Sequence, residues 1–193
     1  MMLRFIISII RGIFVGAKFD RDYRLSSNEI LDDEVVSEQA WREYEAGFAG
    51  QRKRYPHDQI NYDHADFVAA MTDNRLLKMV FHFREQPIAF AIVAKPGHAD
   101  LAQWVAPTSF GNPSDVGYLT VLYVYRSAAS IGNGRRFVRY IVRELGTKYP
   151  NKVFGFDIAS GKKMLARMIQ LEAFFQGYIM RYIGSQDYYR IQS

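Results

Sequence analysis

The chain has 193 residues, 49% of them apolar and 23% charged, with a net charge of +5 and no cysteine. That length and composition predict one globular domain with ample material for a core. The missing cysteine excludes disulfides, thiolate nucleophiles and cysteine-based zinc sites, and it allows a reducing compartment.

The charge is uneven. Residues 1–75 carry 10 basic and 13 acidic side chains, and residues 76–193 carry 15 and 7. Between Arg126 and Arg167, ten basic residues face only Glu144 and Asp157. A positive field that local suits an anionic ligand: cofactor phosphates, nucleic acid or an anionic membrane face. A solvated basic helix face fits the same charges equally well.

In chain order, Phe5 to Val15 is apolar except for Ser8 and Arg11, which is too short to cross a bilayer. No small-residue cleavage site follows it. Residues 1–16 are therefore set apart as an apolar helix. It would dock on a partner or its own domain, with a membrane-surface contact through residues 3–15 as the weaker alternative. Residues 17–193 are expected to form the single domain. Lys18 to Leu25 reads as a first strand. Asp32 and Asp33 precede a helix over Glu34–Gly50, and Asp63 to Thr72 reads as a second helix.

Leu76 to Lys95 predicts a hairpin, with Met79, Phe81 and Phe83 alternating with Lys78 and His82 and a turn at Arg84-Glu85-Gln86-Pro87. Pro96 to Ser114 is irregular. Gly117 to Val124 is apolar on both faces and predicts a central strand. Asn133 to Leu145 predicts an amphipathic helix with Phe137, Ile141 and Leu145 on one side and Arg136, Arg139 and Arg143 on another. Val153 to Ile158 reads as a buried strand, Lys162 to Phe175 as a helix, and Tyr178–Ile183 and Tyr188–Ile191 as closing strands. Two strands separated by a helix predict a parallel pair with a crossover, so the fold class is α/β on a mixed sheet.

The strand ending Leu122-Tyr123-Val124, followed by Ala129-Ser130-Ile131-Gly132-Asn133-Gly134 before a helix, resembles the main motif of the GNAT superfamily of N-acyltransferases. Both glycines match. The motif's leading Arg or Gln is Ala129 here, and its usual Pro is Arg126. Independently of any family, small residues at a helix N-terminus let backbone N–H groups approach an anion. The resemblance implies that the anion is the pyrophosphate of acetyl-coenzyme A or another acyl-coenzyme A. The amides of Ile131, Gly132, Asn133, Gly134 and Arg135 would hold it, and the edge of Tyr123 and Val124 would pair with the pantetheine arm.

Phe174-Phe175-Gln176-Gly177-Tyr178 is similar to the Gly-Phe pair that opens a late strand in this superfamily. The family's acidic Tyr four residues before that Gly is Ala173, which leaves Tyr178 or Tyr182 to substitute. The position of the family's base on the preceding strand is Asp157. A carboxylate in that apolar strand would be desolvated into a useful proton-accepting range, and a structural Asp capping the next helix or paired with Lys162 or Lys163 fits it equally.

The resemblance thus implies a GNAT-like mixed, mostly antiparallel sheet with one parallel pair and flanking helices. It further implies a cytoplasmic acyltransferase, an N-acetyltransferase by default. The acceptor would be an amine on a small molecule or a protein, attacked without a covalent enzyme intermediate. Two alternatives stay open: a scaffold that has lost catalysis and serves as an interaction protein, and an enzyme for longer acyl chains. Gly155 to Lys163 fails the P-loop spacing. His57, Asp58, Asp63 and His64 read as a solvated loop, so no metal is expected. Arg52-Lys53-Arg54 reads as a surface cluster, so no specific nucleic-acid partner is expected.

Overall fold

The structure is a computed structural model describing residues 20–52, 62–98, 112–157, 169–170, 179–182 and 188–192. Residues 1–16, most of the expected helix over Lys162–Phe175, and Tyr178 lie outside the described residues.

Among the described residues, seven strands form one sheet: β1 (Tyr23–Asn28), β2 (Leu76–Phe83), β3 (Gln86–Ala94), β4 (Val116–Val124), β5 (Val153–Asp157), β6 (Ile179–Tyr182) and β7 (Tyr188–Gln192). Their order across the sheet is β1-β2-β3-β4-β5-β7-β6. The β4–β5 pair is parallel and every other pair is antiparallel, as the α/β mixed-sheet expectation requires. Three helices are described: α1 (Glu34–Arg52), α2 (His64–Thr72) and α3 (Ile131–Lys148).

Each helix begins where a short polar side chain replaces a missing backbone partner. Asp33 Oδ1 accepts the Val36 N–H at 3.0 Å, Asp63 Oδ1 accepts the Asp66 N–H at 2.8 Å, and Ser130 Oγ accepts the Asn133 N–H at 3.1 Å. The Ser130 cap starts α3 two residues earlier than the apolar period predicts. Gly132 and Gly134 therefore lie in the first turn of the helix rather than in a loop before it.

The hairpin also differs from its expected turn. Arg84 and Glu85 alone make it, both at positive φ (48° and 68°), and β3 already starts at Gln86. Pro87 is tolerated in the strand because the register shifts beside it, with His82 facing Pro87 and Phe81 facing Ala89.

Strand alternation divides the core between the two faces of the sheet. On one face, Tyr44 of α1 and Phe67 of α2 pack with Phe90, Val121 and Tyr125. On the other, Phe137, Ile141 and Leu145 of α3 pack with Phe81, Ala89 and Phe154, and the Phe81 and Phe137 rings stack at 5.4 Å. Because helices cover both faces of β2, its polar positions are buried with the apolar ones: Lys78 is 0% exposed and His82 9%. The Lys78 ammonium is accommodated by three carbonyls, those of Glu29, Asp73 (2.8 Å) and Leu76 (3.2 Å). Its burial pushes the pKa down to about 8. Among the described residues, no helix is long and apolar enough to cross a membrane.

Candidate active site

β4 is bonded differently along its length. Against β5 it pairs only over Val116–Tyr118, opposite Val153–Gly155. From Leu119 to Val124 it keeps β3 on one side, and among the described residues no strand lies on the other. Asp157 ends β5 two residues beyond Gly155, where the backbone pairs with Tyr188 of β7 instead of with β4. The two strands thus part, leaving about 20 Å of β4 edge at the usual rise per residue. Such an edge, with no strand on its second side among the described residues, suits an extended ligand with amides of its own.

A bulge sits in this open stretch. Ile92 faces Val121 and Val93 faces Leu119, so Thr120 has no partner in the ladder. Its hydroxyl fills the gap by donating to the Ile92 carbonyl at 3.2 Å, and it accepts from the Tyr62 hydroxyl at 3.5 Å.

Beyond Val124 the chain turns through Tyr125 and a 3₁₀ turn over Arg126–Ala128 into the Ser130 cap. The open edge therefore runs directly toward the N-terminus of α3, where the helix dipole favours an anion. The Gly134 N–H donates to the Ser130 carbonyl at 3.0 Å, the first bond of the helix, and the Asn133 N–H is held by the cap. The N–H groups of Ile131 and Gly132 precede those bonds.

The Asn133 side chain works as a brace. Its Oδ1 accepts from the Tyr23 hydroxyl at 3.0 Å and its Nδ2 donates to the Ala128 carbonyl at 2.9 Å, tying the turn to β1. The Arg136 guanidinium lies 4.9 Å from the Tyr23 ring centre, and its Nη1 would sit 3.2 Å from a Cβ added at Gly132. Glycine at 132 keeps the first turn narrow beside that cation. Arg135 is exposed on the same turn.

The expected cofactor residues Tyr123, Val124, Ile131, Gly132, Asn133, Gly134 and Arg135 thus fall on one continuous strand–turn–helix unit. Of the expected catalytic pair, Asp157 stands at the end of the strand that diverges from this unit, and Tyr178 lies outside the described residues.

Three features escape sequence reasoning. The Tyr123 ring packs on α1 at Gly47, where a Cβ would collide with it. Burial, then the nearby Glu43 carboxylate, push the Tyr123 hydroxyl pKa up. Glu43 Oε2 accepts the Arg126 N–H at 2.9 Å, joining α1 to the turn across 83 positions of sequence. On the opposite face of the sheet, a small apolar cavity lies beneath α3, lined by Leu119 and Leu122 of β4, Ile141 and Leu145 of α3, Phe154 of β5 and Ile169.

No protein-family model matches the sequence, and no curated protein matches it. Solved structures do share its fold. A GNAT-family acetyltransferase from Listeria monocytogenes is 13% identical, with 88% of this chain and 94% of that one aligned at a TM-score of 0.55. The ribosomal-protein-S18-alanine N-acetyltransferase from Escherichia coli is 14% identical over 88% and 90% at 0.52. A coenzyme A-dependent acyl-homoserine lactone synthase, BjaI, solved with SAM and isopentyl-CoA, is 10% identical over 88% and 83% at 0.61. At these identities the likeness establishes the GNAT-like fold and nothing finer.

Proposed function

We propose that this chain is an acyl-coenzyme A-dependent acyltransferase that transfers its acyl group to an amine by direct attack. One observation carries the reading: the bulged, singly paired edge of β4 leads straight into the Ser130-capped N-terminus of α3. An amide-bearing pantetheine arm would add to that edge as a strand does, and the pyrophosphate would meet the Ile131 and Gly132 amides and the arginines beside them. The thioester would then lie in the gap between β4 and β5. Backbone N–H groups there would stabilise the oxyanion of the tetrahedral intermediate. Acetyl is the default acyl group, and Asp157, on the other side of the gap, is the proposed base.

Calorimetric titration with acetyl-coenzyme A tests the binding half, and thiol release over a set of amines tests the chemistry. Since the chain contains no cysteine, any free thiol is coenzyme A. Gly134→Asp places a carboxylate in the first turn of α3 and is expected to weaken binding roughly tenfold. Unchanged affinity would mean that the turn holds no phosphate. Asp157→Asn is expected to slow turnover with cofactor affinity intact, and equal rates would move the base elsewhere. Binding without turnover on any amine would favour an interaction scaffold.

The apolar cavity supports a second reading, an acyl group longer than acetyl. Leu119 and Leu122 of the open stretch line it, so an alkyl chain leaving the thioester would meet apolar surface. Tighter binding of hexanoyl- than of acetyl-coenzyme A, abolished by Leu122→Trp, would establish it.

A further inference from the structure

The helix α3 carries a charge pattern that its packing does not explain. Phe137, Ile141 and Leu145 are buried against the sheet. Arg135, Arg139 and Arg143 follow one another four residues apart, with Arg136 beside them. At 3.6 residues per turn all four share the face turned away from the sheet. Arg135 and Arg143 are exposed, and Arg136 and Arg139 are half-buried. The helix's single carboxylate, Glu144, lies to one side of this row and pairs with Lys148 at 3.4 Å. Like charges spaced four apart weaken a helix, so a face kept only for solubility is better served by mixed signs. Two of the four guanidinium groups lie across tyrosine rings. Arg136 is 4.9 Å from the Tyr23 ring centre, and Arg143 is 4.8 Å from that of Tyr140. Such pairs present a fork for phosphate oxygens beside a ring that is apolar in its body and polar at its tip.

The chain also delivers an apolar segment to this side of the molecule. The described residues begin with the 3₁₀ turn Asp20–Asp22, and Tyr23 follows it directly. Tyr23 is fixed to α3 twice, through its hydroxyl bond to Asn133 at 3.0 Å and through its ring beside Arg136. Phe5 to Val15, apolar except for Ser8 and Arg11, ends eight positions before Tyr23. Eight residues span at most about 28 Å, close to the length of the 18-residue α3. The apolar segment is therefore tethered within one helix length of the arginine row.

We infer that the outer face of α3 and the apolar segment before β1 form one peripheral membrane-binding surface, selective for anionic lipid headgroups. The arginines meet the headgroup phosphates, and Phe5 to Val15 supplies apolar side chains to the interface. Either device alone binds weakly, and the two together hold a protein on a membrane. A nucleic acid would use the charges and leave the apolar segment without a role, which favours lipid. The inference does not rest on acyl transfer, and Arg139 and Arg143 stand outside the turn proposed to hold the cofactor.

Co-sedimentation of the full chain with vesicles tests this. One set is phosphatidylcholine alone, and the other contains about one-third phosphatidylglycerol, whose negative surface attracts basic side chains. At physiological ionic strength the parent is expected to bind the anionic vesicles at least roughly tenfold more tightly. Near 1 M salt, where screening sets in at about 3 Å, that preference should vanish. Arg139→Gln with Arg143→Gln should weaken capture roughly 30-fold without lowering the denaturation midpoint, because the changes relieve like-charge repulsion. Ile7→Asp with Phe14→Asp should weaken capture while keeping the preference for anionic vesicles. Equal capture by both vesicle types, a double glutamine variant that binds as the parent does, or undiminished capture after the aspartate changes would each overturn the inference. If a single-stranded oligonucleotide competes as well as anionic vesicles at equal phosphate concentration, the row is a general polyanion site and the lipid assignment falls.

Discussion

The two ends of β4 have the same kind of sequence and opposite surroundings. Val116, Gly117 and Tyr118 are buried and bonded to β5, whereas Leu119 to Val124 are mostly half-buried and bonded to β3 alone. Both stretches are apolar and β-forming, so residue type does not separate them. Two local devices do. At the closed end Gly117 lets β5 approach, with the Phe154 ring lying where a side chain would otherwise stand. At the open end the bulge at Thr120 twists the strand away from its neighbour. One end supplies stability, and the other supplies a surface that stability alone would have covered.

Gly117→Ala breaks the closed end and carries the largest expected effect. The added Cβ would lie 2.7 Å from Phe154 Cδ1 and 2.9 Å from the Ala94 carbonyl oxygen. The ring can rotate aside, but the carbonyl belongs to a central strand and cannot. A loss of about 3 kcal/mol in chemical denaturation is expected, at the upper end of overpacking costs. Adding Phe154→Leu should recover part of it, and the unrelieved remainder measures the backbone contact. Near-neutral behaviour would mean that β4 and β5 are not held close by this glycine.

The sequence foretold much of this architecture, because caps, periods and turn residues act locally. Asp33 and Asp63 mark helix starts by bonding N–H groups three residues on, and a helix between two apolar strands implies their parallel pairing. The expected phosphate-binding residues are contiguous in sequence, so a resemblance to one short motif was enough to single them out. What stayed hidden depends on contacts between distant segments. Alternation along β2 puts Lys78 and His82 on one face, but only the packing of α1 and α2 shows that this face is covered too. Strand patterns likewise do not say where β4 leaves β5, since Leu122 and Val124 look as buried as Val116. Glu43 reads as one more charge on a solvated helix until the fold sets it against Arg126 across 83 positions.

Thr120→Val sharpens the open end with a smaller effect. The isosteric change keeps the β-branched shape and removes the hydroxyl that donates to the Ile92 carbonyl at 3.2 Å and accepts, at a long 3.5 Å, from the Tyr62 hydroxyl. Losing the short bond at a partly buried site costs about 1 kcal/mol, and the long one adds little. The more telling readout is amide hydrogen exchange. If the hydroxyl holds the bulge, exchange should accelerate from Leu119 to Val124 and stay slow at Val116–Tyr118. Uniform acceleration along β4 would show that the strand opens as one unit and that its two ends are not independent.

Gly47→Ala should leave stability almost unchanged and still alter function. Alanine in the middle of a helix is worth up to about 1 kcal/mol over glycine. Against that gain, its Cβ runs into the outer edge of the Tyr123 ring, which is the movable end of a half-exposed side chain. The two effects offset, so the denaturation midpoint should shift little. Tyr123 lies on the open stretch of β4, so if that stretch takes the pantetheine arm as proposed, displacing its ring should weaken acyl-coenzyme A binding several-fold. That separation of stability from binding would follow from the geometry, because the Tyr123 ring touches α1 while its backbone lies on the open edge. A variant that keeps full acyl-coenzyme A affinity would show that the ring on α1 and the open edge are independent of each other.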